Sequence, residues 1–176
     1  MSPTVRRAEA GEGELLHELA ADTFPLACPA GTDPADIESF IELHLSAERF
    51  ESYLADPDRI LLVVTSLASF VGYTMLVFGA PQDADVAAAV TARPTAELSK
   101  CYVSANAHGT GVATELIAAT ITEARLSGAK SLWLGVNNQN ERANRFYEKS
   151  GFVTVGTKHF LLGTDWQDDF TRELVL

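Results

Sequence analysis

The segment His108-Gly109-Thr110-Gly111-Val112-Ala113 lies between a strand-like run, AELSKCYV (96–103), and an Ala-rich amphipathic stretch from Val112 to Ser127 that stops at Gly128. A glycine-rich turn at a helix start leaves backbone N–H groups unpaired, and the helix dipole adds partial positive charge there. Glycine also allows positive φ and close approach of the main chain to a ligand. The chemistry this suits is the gripping of phosphates. The spacing is neither GxxxxGK[ST] nor GxGxxG, which argues against the nucleotide-hydrolysing and dinucleotide loops. A plain strand-to-helix turn would want similar glycines.

A second group of residues decides between these readings. After the strand-like run SLWLGV (131–136) comes NNQNERANRFYEKSGF (137–152). In this order the two segments resemble the GCN5-related N-acetyltransferases. That family's pyrophosphate loop, [QR]-x-x-G-x-[GA], is matched by His108, Gly111 and Ala113, with His in place of Gln or Arg. Its later helix, N-x-x-A-x-x-[FL]-Y-x-x-x-G-F, is matched by Asn140, Ala143, Phe146, Tyr147, Gly151 and Phe152. The clear match covers residues 95–160; the first 94 residues fit the order of elements without a diagnostic motif.

The resemblance implies acetyl-CoA as co-substrate, with no metal. The amides of His108, Gly109, Thr110, Gly111, Val112, Ala113 and Thr114 would face the pyrophosphate. The His108 side chain is a weaker phosphate ligand than Arg, because it can be neutral at pH 7. Asn140 would contact the pantetheine arm, and as a helix N-cap it has a second use. Main-chain groups of Val103 would pair with the pantetheine amides like an added strand. The backbone N–H of Cys101 would meet the acetyl carbonyl, a role that needs no thiol. Tyr147, on one helical face with Asn140, Ala143 and Asn144, would give the departing thiolate its proton; Phe146 beside it reads as a core aromatic. Glu97 lies four residues before Cys101, as the catalytic glutamate does in the histone acetyltransferase branch. It is the candidate general base, needed because an alkyl ammonium has a pKa of about 10.4.

Composition fits a single domain over residues 1–176, with 47% hydrophobic residues to build a core, and the resemblance implies that it is an N-acetyltransferase domain. No apolar run approaches the roughly 18 residues of a membrane span, and the N-terminus has no signal-like core. The two cysteines, Cys28 and Cys101, have no disulfide or metal-site pattern. A cytoplasmic protein is expected. Residues 1–94 carry 5 Lys/Arg against 15 Asp/Glu, whereas residues 95–160 carry 7 against 5. The acidic half would attract a cationic acceptor, or serve solubility alone, and it argues against nucleic acid.

The elements needed to position these groups follow from periodicity. Residues 3–8 read as a strand, Glu12 to Asp22 as a helix and 25–34 as a loop. Asp33-Pro34 starts a helix to His44, and Ser46 caps another to Ala55. Residues 59–66 and 70–78 form an antiparallel hairpin. Residues 80–94 are an excursion with a short helix, a flap placed beside the site. A helix from Asn140 to Ser150, with Gly151 as its C-cap, is followed by closing strands at 152–160 and 169–176. The fold class is α/β (α+β): a mixed, mostly antiparallel central sheet of about seven strands flanked by helices. The resemblance adds that the fourth and fifth strands splay around the acyl-CoA.

The tail GTKHFLLGTDWQDDF, with LWLGV, resembles bacterial spermidine/spermine acetyltransferase-like members, which implies a small cationic amine such as a polyamine as acceptor. Asp165, Asp168 and Asp169 are candidates for binding that cation. Acetylation of a protein or peptide and non-catalytic acyl-CoA binding are the alternatives, and a homodimer is open.

Overall fold

The computed structural model describes residues 3–176, Phe160 in its backbone only. The elements in chain order are β1 (Thr4–Arg7), α1 (Gly13–Ala27), α2 (Pro34–His44), α3 (Ala47–Ala55), β2 (Arg59–Ser66), β3 (Ser69–Phe78) and α4 (Ala84–Ala89). There follow β4 (Thr95–Val103), α5 (Val112–Leu126), β5 (Ser131–Asn137), α6 (Glu141–Lys149), β6 (Val153–Leu162) and β7 (Asp165–Val175). Seven strands form one sheet in the order β1-β2-β3-β4-β5-β7-β6. Every neighbouring pair is antiparallel except β4–β5. The β4-α5-β5 and β5-α6-β6 segments are both parallel crossovers, the second with β7 inserted between its strands. The expected fold class is borne out.

One face of the sheet is covered by α1 and α3. Leu16, Leu19, Ala20, Phe24 and Phe50 pack there on Leu61, Val63, Tyr73 and Met75. Burying each large apolar side chain contributes about 1.5–3 kcal/mol. The other face carries α5 and α6, with Leu116 and Ile117 of α5 and Tyr147 of α6 against the sheet.

The caps at Asp33 and Ser46 form as the sequence predicts. Their side chains accept from Ala35 N at 2.9 Å and Arg49 N at 3.1 Å. The start of α1 is supported from elsewhere. Glu51 of α3 accepts from Gly11 N (3.0 Å) and Gly13 N (2.7 Å), so a distant carboxylate satisfies amides that no local side chain caps. The same helix runs past Asp22 through Pro25 to Ala27, into the stretch expected to be loop. Phe24 stacks on Phe40 of α2 at 4.5 Å, an anchor for that last turn absent from local sequence.

The excursion 80–94 is another correction. Asp83 caps α4, and Val86 and Val90 bury against Trp133. Glu173 accepts from the amides of Thr91 and Ala92 and from the Thr91 hydroxyl (2.7 Å). The segment is therefore pinned to the sheet on the flank of β6, not placed as a flap beside the site. Among the described residues, no helix is long and apolar enough to cross a membrane.

Candidate active site

β4 and β5 pair only through Thr95–Glu97 against Ser131–Trp133. Beyond those residues the two strands part, while β5 stays paired with β7 along its length. The split opens a groove of about 1000 Å³ on the α5–α6 side and a smaller chamber of about 280 Å³ on the α1–α2 side. The two cavities share Ala27, Cys101, Tyr102, Asn140, Ala143 and Tyr147. They meet at the mouth of the split.

The groove is floored by the glycine turn. A single 3₁₀ turn, Ala105–Ala107, leads to Gly109 at φ +77° and Gly111 at φ +89°, and Gly111 caps α5 with no side-chain hydrogen bond at that end. Such φ values favour glycine. The amides of His108 and Thr110 bond to the carbonyls of Ala105 (3.2 Å) and Ala107 (3.3 Å). Of the amides from His108 to Thr114, these two are engaged within the loop, which leaves the glycines and the start of α5 as the outward donors. The His108 ring turns inward: its Nε2 lies 2.9 Å from Val103 O, so the ring braces the loop against β4 rather than reaching for an anion. That bond also engages the Val103 carbonyl, one of the two main-chain groups expected to pair with a pantetheine arm.

Across the groove, α6 contributes Arg142, Arg145 and Lys149. Sequence reasoning passed over these three, although their spacing along a helix places them on one face. They give the groove cationic side chains opposite the loop amides, a fitting pair of walls for a polyanion.

Tyr147 is buried at the junction, with its ring edge-on to Phe146 (5.5 Å) and Phe152 (5.8 Å). Phe146, expected in the core, is half-buried and lines the groove. The Tyr147 hydroxyl lies by the Cys101 thiol, and their interaction favours the proton on the phenol. Burial raises the Tyr147 pKa well above the ordinary phenol value and pushes the Cys101 thiol up to about 11. Both groups therefore stay protonated near neutrality. Helix α6 is held from behind by Arg172, whose guanidinium donates to Asn144 Oδ1 (3.0 Å), Glu148 Oε1 (3.0 Å) and Phe152 O (3.4 Å). Asn144 in turn donates to the carbonyls of Asn137 (3.1 Å) and Asn140 (2.9 Å), and Asn140 caps the helix through Ala143 N (3.1 Å). This network fixes Tyr147 from both sides of its helical turn.

The chamber depends on a break in strand alternation. Met75 faces Lys100 and Leu76 faces Leu98, so Ser99 is an extra residue on β4. Residues three apart point to opposite faces of a regular strand. With the bulge, Glu97 and Lys100 share a face: their partners Val77 and Met75 both pack in the α1–α3 core. Opposite them, Asp169 of β7 pairs with Lys158 of β6 and with Asn137 of β5. Gly135 makes room for this group, because a Cβ there would lie 3.2 Å from Asp169 Oδ2 and 3.3 Å from Lys158 Cδ. Phe24, Phe40, Leu45 and Leu162 close the apolar end.

Burial raises the pKa of Glu97, with Lys158, Lys100 and Arg59 opposing that rise. The same desolvation lowers Lys100 to about 8, Glu97 opposing and Arg59 adding to the fall, and raises Asp169 to about 6. Of the three tail carboxylates expected to bind a cation, only Asp169 reaches the chamber. Asp165 is exposed, and Asp168 pairs on the surface with His159 at 2.9 Å. Lys100 and Lys158 were not anticipated. Lys100 is legible only once the bulge is known, and Lys158 only once β6 is in register with β7.

The model of the acetyltransferase (GNAT) family matches residues 14–152. Uncharacterized N-acetyltransferases of Mycobacterium bovis and Mycobacterium tuberculosis are 43% identical over 166 residues, 93% of this chain and 99% of each relative. Among solved structures, the PaiA N-acetyltransferase from Thermoplasma acidophilum in complex with coenzyme A shares the fold with a TM-score of 0.78 at 20% identity, over 100% of both chains. YncA from Salmonella typhimurium, solved with acetyl-CoA, shares it with a TM-score of 0.66 at 20% identity, over 100% of this chain and 95% of its own. The chain belongs to the acetyltransferase (GNAT) family and is an N-acetyltransferase.

Proposed function

We propose that the protein transfers an acetyl group from acetyl-CoA to a small primary amine by direct attack within a ternary complex. The observation that carries this reading is the junction: Tyr147 and Cys101 line both cavities, and Glu97 stands inside the chamber. The groove suits the co-substrate. Its floor offers the outward amides of Gly109, Gly111 and the first turn of α5, and its wall offers Arg142, Arg145 and Lys149. Acetyl-CoA supplies the activated thioester.

Glu97 accepts a proton from the acceptor's ammonium, freeing the nitrogen lone pair to form the C–N bond at the acetyl carbon as the C–S bond breaks. Tyr147, protonated at rest, gives its proton to the departing sulfur, and it is reprotonated by the second proton that the nitrogen sheds as the amide forms. The exposed amide edge of β4 at Cys101 faces the acetyl oxygen. The Cys101 thiol, pushed up to about 11, is a poor nucleophile, which favours direct transfer over an acyl-cysteine.

The chamber is too small for a folded polypeptide surface and suits a small-molecule amine. A polyamine fits the acidic N-terminal half of the chain, but two lysines in the chamber oppose a polycation. The test is CoA-thiol release from acetyl-CoA against amino acids, simple alkylamines, polyamines, aminoglycosides and short peptides. Release with at least one small amine supports the reading. Tight acetyl-CoA binding with no release for any amine would replace it with a binding role.

A further inference from the structure

The chamber presents four acidic or basic side chains of mixed sign: Glu97 and Lys100 on β4, Lys158 on β6 and Asp169 on β7. Among the described residues, none of the four makes an ion pair within 4.0 Å. The lysine ammoniums instead lie over aromatic rings, Lys100 Nζ at 5.6 Å from Tyr53 and Lys158 Nζ at 5.8 Å from Trp133. Charges desolvated without direct partners are costly. A structure that holds them open on a cavity wall leaves their compensation to a ligand. A ligand of a single sign would satisfy one pair and repel the other.

We propose that the acceptor is an amphoteric amine, an amino acid whose carboxylate is held by Lys100 and Lys158 while its ammonium faces Glu97 and Asp169. This rests on the transferase reading above and names its substrate class. The ammonium then sits beside the base that deprotonates it. The amino acid's side chain is directed to the apolar end, against Phe24, Phe40, Leu45 and Leu162. A polyamine would bring further ammoniums against Lys100 and Lys158, with no carboxylate to neutralise them. Burial pushes Lys100 down to about 8 and Asp169 up to about 6, each toward its neutral form. A bound zwitterion reverses both shifts.

The experiment uses matched pairs: free amino acids and their decarboxylated amines, for example leucine with isopentylamine and phenylalanine with phenethylamine, beside spermidine. CoA release is measured for the wild type, Lys100→Met and Lys158→Met, and amino-acid binding to the CoA-loaded protein is titrated by calorimetry. The expected result is a wild-type kcat/KM at least about tenfold higher for an amino acid than for its matched amine, lost in either variant through a raised KM, with the matched amine changed less than about threefold. Wild-type preference for spermidine or for the decarboxylated amines overturns the proposal, as does an equal loss for both members of a pair. Failure of the transferase reading is separable. If nothing is turned over, an amino acid that binds the CoA complex and is weakened by Lys158→Met keeps the amphoteric site and ends the transferase role. Absence of amino-acid binding overturns the site itself.

Discussion

The groove beneath α5 and the chamber between β4 and the β6–β7 hairpin meet at Tyr147, yet they draw their chemistry from different parts of the chain. The groove's floor is main chain: two glycines at positive φ and the first turn of one helix, all within a short continuous segment. The chamber's charges come from three strands and depend on a bulge at Ser99, on the register of β6 with β7, and on the space at Gly135. On the proposed reading, the co-substrate meets local main-chain donors on the groove's floor and three cationic side chains of a single helix, Arg142, Arg145 and Lys149, on the wall. The proposed acceptor site is built from side chains that only this tertiary arrangement assembles. Substitutions should therefore separate the two compartments.

The largest separation is expected from Glu97→Gln, which keeps shape and removes the proposed base. kcat should fall by about 10²–10⁴, while the acetyl-CoA Kd from calorimetry stays unchanged. Next comes Arg172→Ala, which strips the support behind α6 without touching either cavity's ligand. Loss of hydrogen bonds to a charged group costs about 1.5–3 kcal/mol each, so Tm should drop and kcat fall with it. Arg172→Lys should recover part of both, since one donor survives, and a Tm drop with kcat intact would break the link to Tyr147.

Two glycines test the comparison directly. Gly111→Ala meets nothing within 4 Å, so its effect is conformational, at φ +89°. A cost of about 1–2 kcal/mol should appear as weaker acetyl-CoA binding, with the acceptor KM little changed. Gly135→Ala has no such φ but crowds Asp169 and Lys158, so the acceptor KM should rise by roughly severalfold while acetyl-CoA binding holds. The reverse pattern would erase the distinction between the compartments.

The smallest expected effect is on pH dependence. As the proposed base Glu97 would act unprotonated, and burial raises its pKa, so kcat/KM should fall on acidification at a higher pH than an ordinary carboxylate would give. Lys158, Lys100 and Arg59 oppose that rise. Removing a positive charge by Lys158→Met should raise the Glu97 pKa further and move the acid limb of the profile upward. A downward shift would contradict the assignment.

Much of this was legible in the sequence wherever a local rule applied. Asp33, Ser46 and Asn140 cap the helices they precede, and Asn140 and Tyr147 lie where their motif places them. The illegible parts share one physical cause, contacts between distant segments. Glu51 caps α1 from another helix, Phe40 anchors the turn containing Pro25, and Glu173 pins residues 91–92. Lys100 was hidden by a bulge that reverses the alternation on which strand reading rests. His108 kept its place in the loop, but its ring found a nearer partner in Val103 O.

The junction is most directly tested by Tyr147→Phe, which preserves the ring packing against Phe146 and Phe152 and removes only the hydroxyl. Acetyl-CoA Kd and CoA-thiol release are measured on the same preparation. The account predicts unchanged binding with turnover reduced by about tenfold or more. Turnover equal to wild type, or a loss of turnover matched by an equal loss of acetyl-CoA binding, would contradict it.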